Sequence, residues 1–183
     1  MRSLLALGLF LPSLAFAQEV KSNFPAGDQN WSLETASAAT SPDWVNVGGQ
    51  NGSYITNTCT SVDNQAMWVA PAAYRGDQSD KLDGKFTLWR NNSKVSQPYQ
   101  VFIELTGANG DTVYMYRYNY AATDGNGWFK FIFALKANNF TRGSYQPAVT
   151  RADLKDILTD VADLRIQAYG CDGIDTVRLT PPP

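Results

Sequence analysis

None of the 183 residues of this chain is histidine. That absence removes serine or cysteine nucleophiles paired with imidazole, His-ligated zinc and the usual general base at neutral pH. Cysteine is nearly as scarce, with Cys59 and Cys171 alone. Two thiolates are too few for a structural zinc or iron–sulfur site, which takes about four ligands. Any catalysis would have to run on carboxylates, tyrosine, lysine or a hard metal.

The carboxylates form no recognisable reacting pair. A glycosidase needs two acidic side chains about 5–10 Å apart. Glu34, Glu104 and several aspartates are available, but no spacing unites them. Asp77, Asp80 and Asp83 recur every third residue in RGDQSDKLDG, whereas a calcium loop of the EF-hand type needs every second. The Arg75-Gly76-Asp77 tripeptide resembles an adhesion motif, but matches this short arise by chance. A solvated loop accounts for the whole stretch.

The run YGCDGIDTVRL, residues 169–179, puts a cysteine between a glycine and two aspartates. With no histidine to lower its pKa, Cys171 is a poor nucleophile. In an exported chain two cysteines most simply pair, so Cys59–Cys171 is the expected disulfide. Period-two alternation puts Ile174, Thr176 and Arg178 on one side of this strand and Asp175, Val177 and Leu179 on the other. An inward Asp175 needs an arginine, backbone N–H groups or a calcium ion. A buried structural carboxylate is the leading reading. A calcium site with Asp28 as a second ligand is the other.

The remaining constellation is aromatic. In VYMYRYNY, Tyr114, Tyr116, Tyr118 and Tyr120 share one face of a strand. If exposed, the row is a platform for sugar stacking or for a protein partner. If buried, it is a cross-strand ladder inside a core. Trp89 and Trp128 are further candidates for a ligand surface. Trp89 lies opposite Phe86 and Leu88 in its strand, and Trp128 and Lys130 lie opposite Phe129, Phe131, Phe133 and Leu135.

Short alternating runs separated by Gly, Asn, Asp and Pro must position these residues, which is the pattern of an all-β chain. Strands are expected at 31–34, 44–47, 53–56, 66–70, 85–90, 99–106, 113–120, 128–135 and 164–169, with a terminal strand at 174–179. In TRADLKDILTDVADLRIQ, Leu154, Ile157, Leu158 and Val161 recur at helical spacing, which predicts a helix over about 151–160. Thr150 and Asp153 are its expected capping box.

Residues 1–17 read as a secretory signal: Arg2, an apolar stretch interrupted by Pro12, and Ala15-Phe16-Ala17 before Gln18. The apolar stretch is short for a membrane span. Residues 18–183 then form one domain, large enough for its own core. The formal net charge is −2, so no basic surface for nucleic acid or anionic lipid is expected.

The order of motifs is informative: FPAGDQNW, VGGQNGSYI, MWVAPAAYRGDQSDKLDGKFTL, WFKFIFAL, LKDILTDVADLRIQ and GIDTVRL. This order resembles the laminin B domain, also called laminin IV type A, from Phe24 to Leu179. Asn30 stands where the family has Gly before Trp, Ser53 where it has a second Gly, and Thr176 where it has Asn. The resemblance implies a two-sheet antiparallel jelly-roll β-sandwich, akin to galactose- and carbohydrate-binding modules, with one short helix near the C-terminus. It implies a secreted or periplasmic, non-catalytic binding or adhesion module. The expected partner is a glycan or an extracellular surface. The alternative is a structural or protein-partner component with no small ligand. No cofactor is expected beyond a structural calcium ion.

Overall fold

A computed structural model describes residues 17–36, 38–57, 66–92, 99–119, 127–143, 146–168 and 172–183. Residues 1–16 of the expected signal peptide, both cysteines and Tyr120 lie outside the described residues, as does the side chain of Tyr118. The strands run β1 (Val20–Ser22), β2 (Ser32–Glu34), β3 (Ala39–Thr40), β4 (Asp43–Gly49), β5 (Gly52–Thr56) and β6 (Met67–Val69). They continue as β7 (Lys85–Asn92), β8 (Tyr99–Gly107), β9 (Thr112–Asn119), β10 (Trp128–Ala134), β11 (Val161–Gln167) and β12 (Asp172–Thr180), with helix α1 at Arg151–Thr159.

Two antiparallel sheets form a β-sandwich. Sheet A runs β10-β7-β12-β5-β4, with β1 added beside β12, and sheet B runs β3-β2-β6-β11-β8-β9. Alternation sends Phe86, Leu88, Phe131 and Phe133 inward from sheet A, where Ile174 and Leu179 join them, and Leu33, Trp68, Val101, Ile103, Leu105, Val113 and Met115 inward from sheet B. Trp31, Trp68 and Phe24 fill the layer between them. Burying each such large apolar side chain contributes roughly 1.5–3 kcal/mol.

Two devices secure the polar groups in this core. The Arg90 guanidinium donates to Asp172 through Nε (2.7 Å) and Nη2 (2.5 Å), and the Trp68 indole N–H adds a third bond at 3.2 Å. Removing one partner of such a buried pair costs roughly 3–5 kcal/mol, because a bare charge is left behind. The Tyr74 hydroxyl donates to the Val177 carbonyl at 2.8 Å, and burial pushes its phenol well above the ordinary range.

Helix α1 begins where the sequence places it. Thr150 and Asp153 form the reciprocal capping box, and Leu154, Ile157 and Leu158 are buried. Val161 is not its last inward residue. It opens β11, and its N–H donates to the Gly76 carbonyl at 2.8 Å.

The last strand departs from simple alternation. Thr176 has φ 46°, in the left-handed region. The pairing of β12 with β7 shifts register between Asp175 and Arg178. This β-bulge inserts one residue, so Ile174, Val177 and Leu179 all face the core while Asp175 and Arg178 face outward. The expected grouping of Ile174 with Thr176 and Arg178 is thereby corrected. The bulge is also where β12 changes neighbours. Gly173 and Ile174 pair with β5, and Val177 to Leu179 pair with β1.

Candidate functional site

The tyrosine strand β9 resolves the alternative left open by its sequence. Val113 and Met115 point into the core at 0% and 2% exposure. Tyr114 is therefore on the outer face of sheet B, half-buried, and Tyr116 beside it is 49% exposed. Tyr114 and Tyr116 are therefore not core packing. Across the pair, Phe102 of β8 lies opposite Tyr116, and Glu104 lies opposite Tyr114. Phe102 stacks on Tyr114 with ring centroids 5.4 Å apart and planes at 22°, and meets Tyr116 at 5.0 Å and 53°. The three rings make one continuous apolar surface bordered by tyrosine hydroxyls.

A charged network lies alongside. Arg165 of β11 pairs in register with Glu104. Its guanidinium reaches Asp163 at 2.5 Å, Glu34 at 3.1 Å and Glu104 at 3.8 Å. Partial burial raises the Glu104 carboxyl above its ordinary value, against the pull of Arg165. Sequence spacing could not unite Glu34 with Glu104, because they sit on strands that meet only through β6 and β11. The sheet thus sets flat rings beside fixed donors and acceptors. Such a face can stack against the C–H faces of a sugar and bond its hydroxyls.

The outer face of sheet A places the two tryptophan candidates differently. Trp128 is 1% exposed. Its indole N–H donates to the Gly48 carbonyl at 2.8 Å, and Tyr54 packs edge-on at 5.1 Å. The β4–β5 hairpin covers it, so Trp128 is corrected from a ligand-binding residue to a structural one. Trp89 is half-buried, and the Lys130 ammonium lies 5.7 Å from its ring centroid.

Asp175 is fully buried beneath the same hairpin. Its carboxylate accepts the Asn51 N–H at 2.8 Å and the Thr176 hydroxyl at 3.0 Å. Gly49 is required here by close approach: a Cβ would sit 3.0 Å from Asp175 Oδ2 and 2.8 Å from the Ser53 carbonyl oxygen. Asp28 is spent locally, accepting the Asn30 N–H at 2.9 Å. Among the described residues, no three His, Cys, Asp or Glu side chains come together to hold a metal. The aspartates of the RGDQSDKLDG loop disperse to separate partners, Asp77 to the Ser79 N–H, Asp80 to Lys81 and Asp83 to Arg151.

The family model for laminin B (domain IV) matches residues 67–181. The chain belongs to the laminin B family. Among solved structures, this laminin B chain is similar to the L4b domain of human laminin alpha-2, at TM-score 0.64 and 16% identity over 96% of this chain and 100% of that one. It is also similar to the family 11 carbohydrate-binding module of the cellulosomal cellulase Lic26A-Cel5E of Clostridium thermocellum. That match has TM-score 0.53 and 17% identity over 92% of this chain and 97% of the module. A family 11 carbohydrate-binding module from Clostridium thermocellum in complex with a β-1,3-1,4-mixed-linked tetrasaccharide is similar as well, at TM-score 0.52 and 17% identity over 89% of this chain and 95% of that one. At these identities the likenesses establish the fold. No curated protein sequence matches. Laminin B domains are non-catalytic modules, typically of extracellular proteins. Among the described residues no helix is long and apolar enough to cross a membrane.

Proposed function

We propose that this laminin B domain is an exported, non-catalytic module that binds a glycan on the outer face of sheet B. The observation that carries the reading is the exposed Tyr116 ring, continuous with Phe102 and Tyr114 and flanked by Arg165 with its carboxylates. Tyr118 belongs to the same row by register. The similar family 11 module, with its bound mixed-linked tetrasaccharide, supplies the first probe. Mixed-linked β-1,3-1,4-glucan oligosaccharides come first, then a wider glycan array.

Tyr116→Ala is expected to raise the dissociation constant for the bound glycan about tenfold, the loss of one stacking contact. Its stability should stay within about 0.5 kcal/mol of the parent, because the ring is exposed. Silence across the array, or a glycan bound equally well by Tyr116→Ala, would overturn the reading. In that case a structural role beside a protein partner takes its place.

A structural calcium ion belongs to the same proposal. Asp175 is a fully buried carboxylate, the residue around which such a site would form. Hard oxygens of this kind suit calcium, which takes about 6–8 of them.

A further inference from the structure

Sheet A has a polar outer face of the opposite sign, and the glycan reading of sheet B makes no use of it. Its residues fall into rows across β10, β7, β12 and β1. Lys130 pairs with Trp89, and Trp89 pairs with Asp175. In the next row Ile132 pairs with Thr87, Thr87 with Arg178, and Arg178 with Lys21. In the third, Lys85 lies between Ala134 and Thr180. Four cations therefore share one face.

Two of them, Lys130 and Arg178, line one cavity of about 200 Å³ with Trp89, Thr87, Asn51 and Thr176. Their backbones stand two strands apart, about 10 Å, and one row apart, about 7 Å, so both long side chains can converge on one group. No lining residue is acidic. Asp175 lies beneath, with its oxygens turned to Asn51 and Thr176. Lys130 is steered by the indole face of Trp89, so that ring serves as a wall for the cation. Arg178 has a buried Nε with no hydrogen-bond partner, and its ion pair with Glu19 spans 3.6 Å. The Arg178 side chain is nevertheless 39% exposed, and an exposed guanidinium matches a carboxylate or sulfate oxygen. The volume is below that of an ordinary drug-sized site, roughly 300–1,000 Å³, and suits one charged group with part of its sugar.

We infer that the cavity between Trp89, Lys130 and Arg178 holds the carboxylate or sulfate of an acidic polysaccharide, with Lys21 and Lys85 meeting its further charges. This site is separate from the tyrosine face and does not depend on it.

Affinity electrophoresis of the intact protein tests it, with polygalacturonate, dextran sulfate and neutral dextran cast in the gel. The expected result is retardation by at least one polyanion, none by dextran, and weakening as salt rises. Retardation by polygalacturonate alone identifies a carboxylate. Retardation by dextran sulfate alone identifies a sulfate. Lys130→Gln and Arg178→Gln should each raise the dissociation constant about tenfold, and Tyr116→Ala should change nothing. Lys130 is exposed, so its variant keeps the fold. No retardation by either polyanion, or full retardation in both glutamine variants, overturns the inference. So does loss of retardation in Tyr116→Ala, which would put the polyanion on sheet B.

Discussion

Thr176 carries a β-branched side chain at φ 46°, a conformation that costs an ordinary L-residue roughly 1–2 kcal/mol. The family pattern has asparagine at this place, and asparagine tolerates the left-handed region far better. Thr176→Asn is therefore expected to raise unfolding free energy by about 1 kcal/mol, read by denaturant titration. A fall would mean that the bonds of the Thr176 hydroxyl to Asp175 and Asn51 outweigh the backbone strain. The same residue is where the structure departs from the alternation expected of this strand. Period two assumes an unbroken ladder. No glycine or asparagine marks the bulge, so alternation alone separates Val177 and Leu179 from Ile174 and joins Arg178 to it. Trp128 escaped for another reason. What covers it is a hairpin some 80 positions earlier in the chain, which no local pattern reports.

At the scale of elements, alternating runs are legible down to the three-residue β2 and β6, whereas β1 and β3 are not. The runs now numbered β7 to β10 and helix α1 follow from alternation, spacing and a cap. β1 and β3, of three and two residues, exist only because neighbours complete them. Helix α1 is also tied sideways. Arg142 donates to Asp111, in the turn between β8 and β9, at 2.7 and 3.1 Å, and to Asp153 at 3.3 Å. Hydrogen bonds from Thr150, and then from Arg142, hold Asp153 from its ordinary 3.8 down to about 2. Asp111 is lowered by Arg142 in the same way. Carboxyls depressed in the fold contribute stability that is complete above about pH 4 and is lost as pH falls towards 2. Melting temperature should drop through that window in the parent and drop less in Asp153→Asn, which lacks the group from the start. Parallel slopes in circular-dichroism melts would remove the capping network from acid stability.

For the whole molecule, the two outer faces divide the chemistry. Sheet B presents rings and carboxylates gathered by one arginine, and sheet A presents lysines and an arginine around a tryptophan. The sequence contained both sets, but only strand order sorts them. The ends of β5 and β12 also bear on the cysteines. Asn57 and Asp172 exchange hydrogen bonds, from the Asn57 N–H at 3.1 Å and from the Asp172 N–H at 2.6 Å. Cys59 and Cys171 stand two positions and one position beyond them. A disulfide closing so long a loop stabilises by roughly 4–5 kcal/mol in the chain-entropy model. One set of thermal melts tests the expected disulfide and the proposed calcium ion. Reductant is expected to lower the melting temperature of protein from an oxidising compartment, and chelator to lower it independently, since a bound ion stabilises by mass action. No shift with reductant excludes the disulfide, and no shift with chelator excludes the calcium ion.

The hand-over of β12 from β5 to β1 has a mechanical meaning. Val20 faces Leu179 and Ser22 faces Val177, so the first and last strands lie antiparallel with their outer ends together. Tension applied through the chain on either side would load that ladder one rung at a time. Peeling needs far less force than shearing all rungs at once. A module pulled between two anchors would give way first at β1, while the bulge at Thr176 marks where the peeling meets the β5 side of the sheet and the buried Asp175.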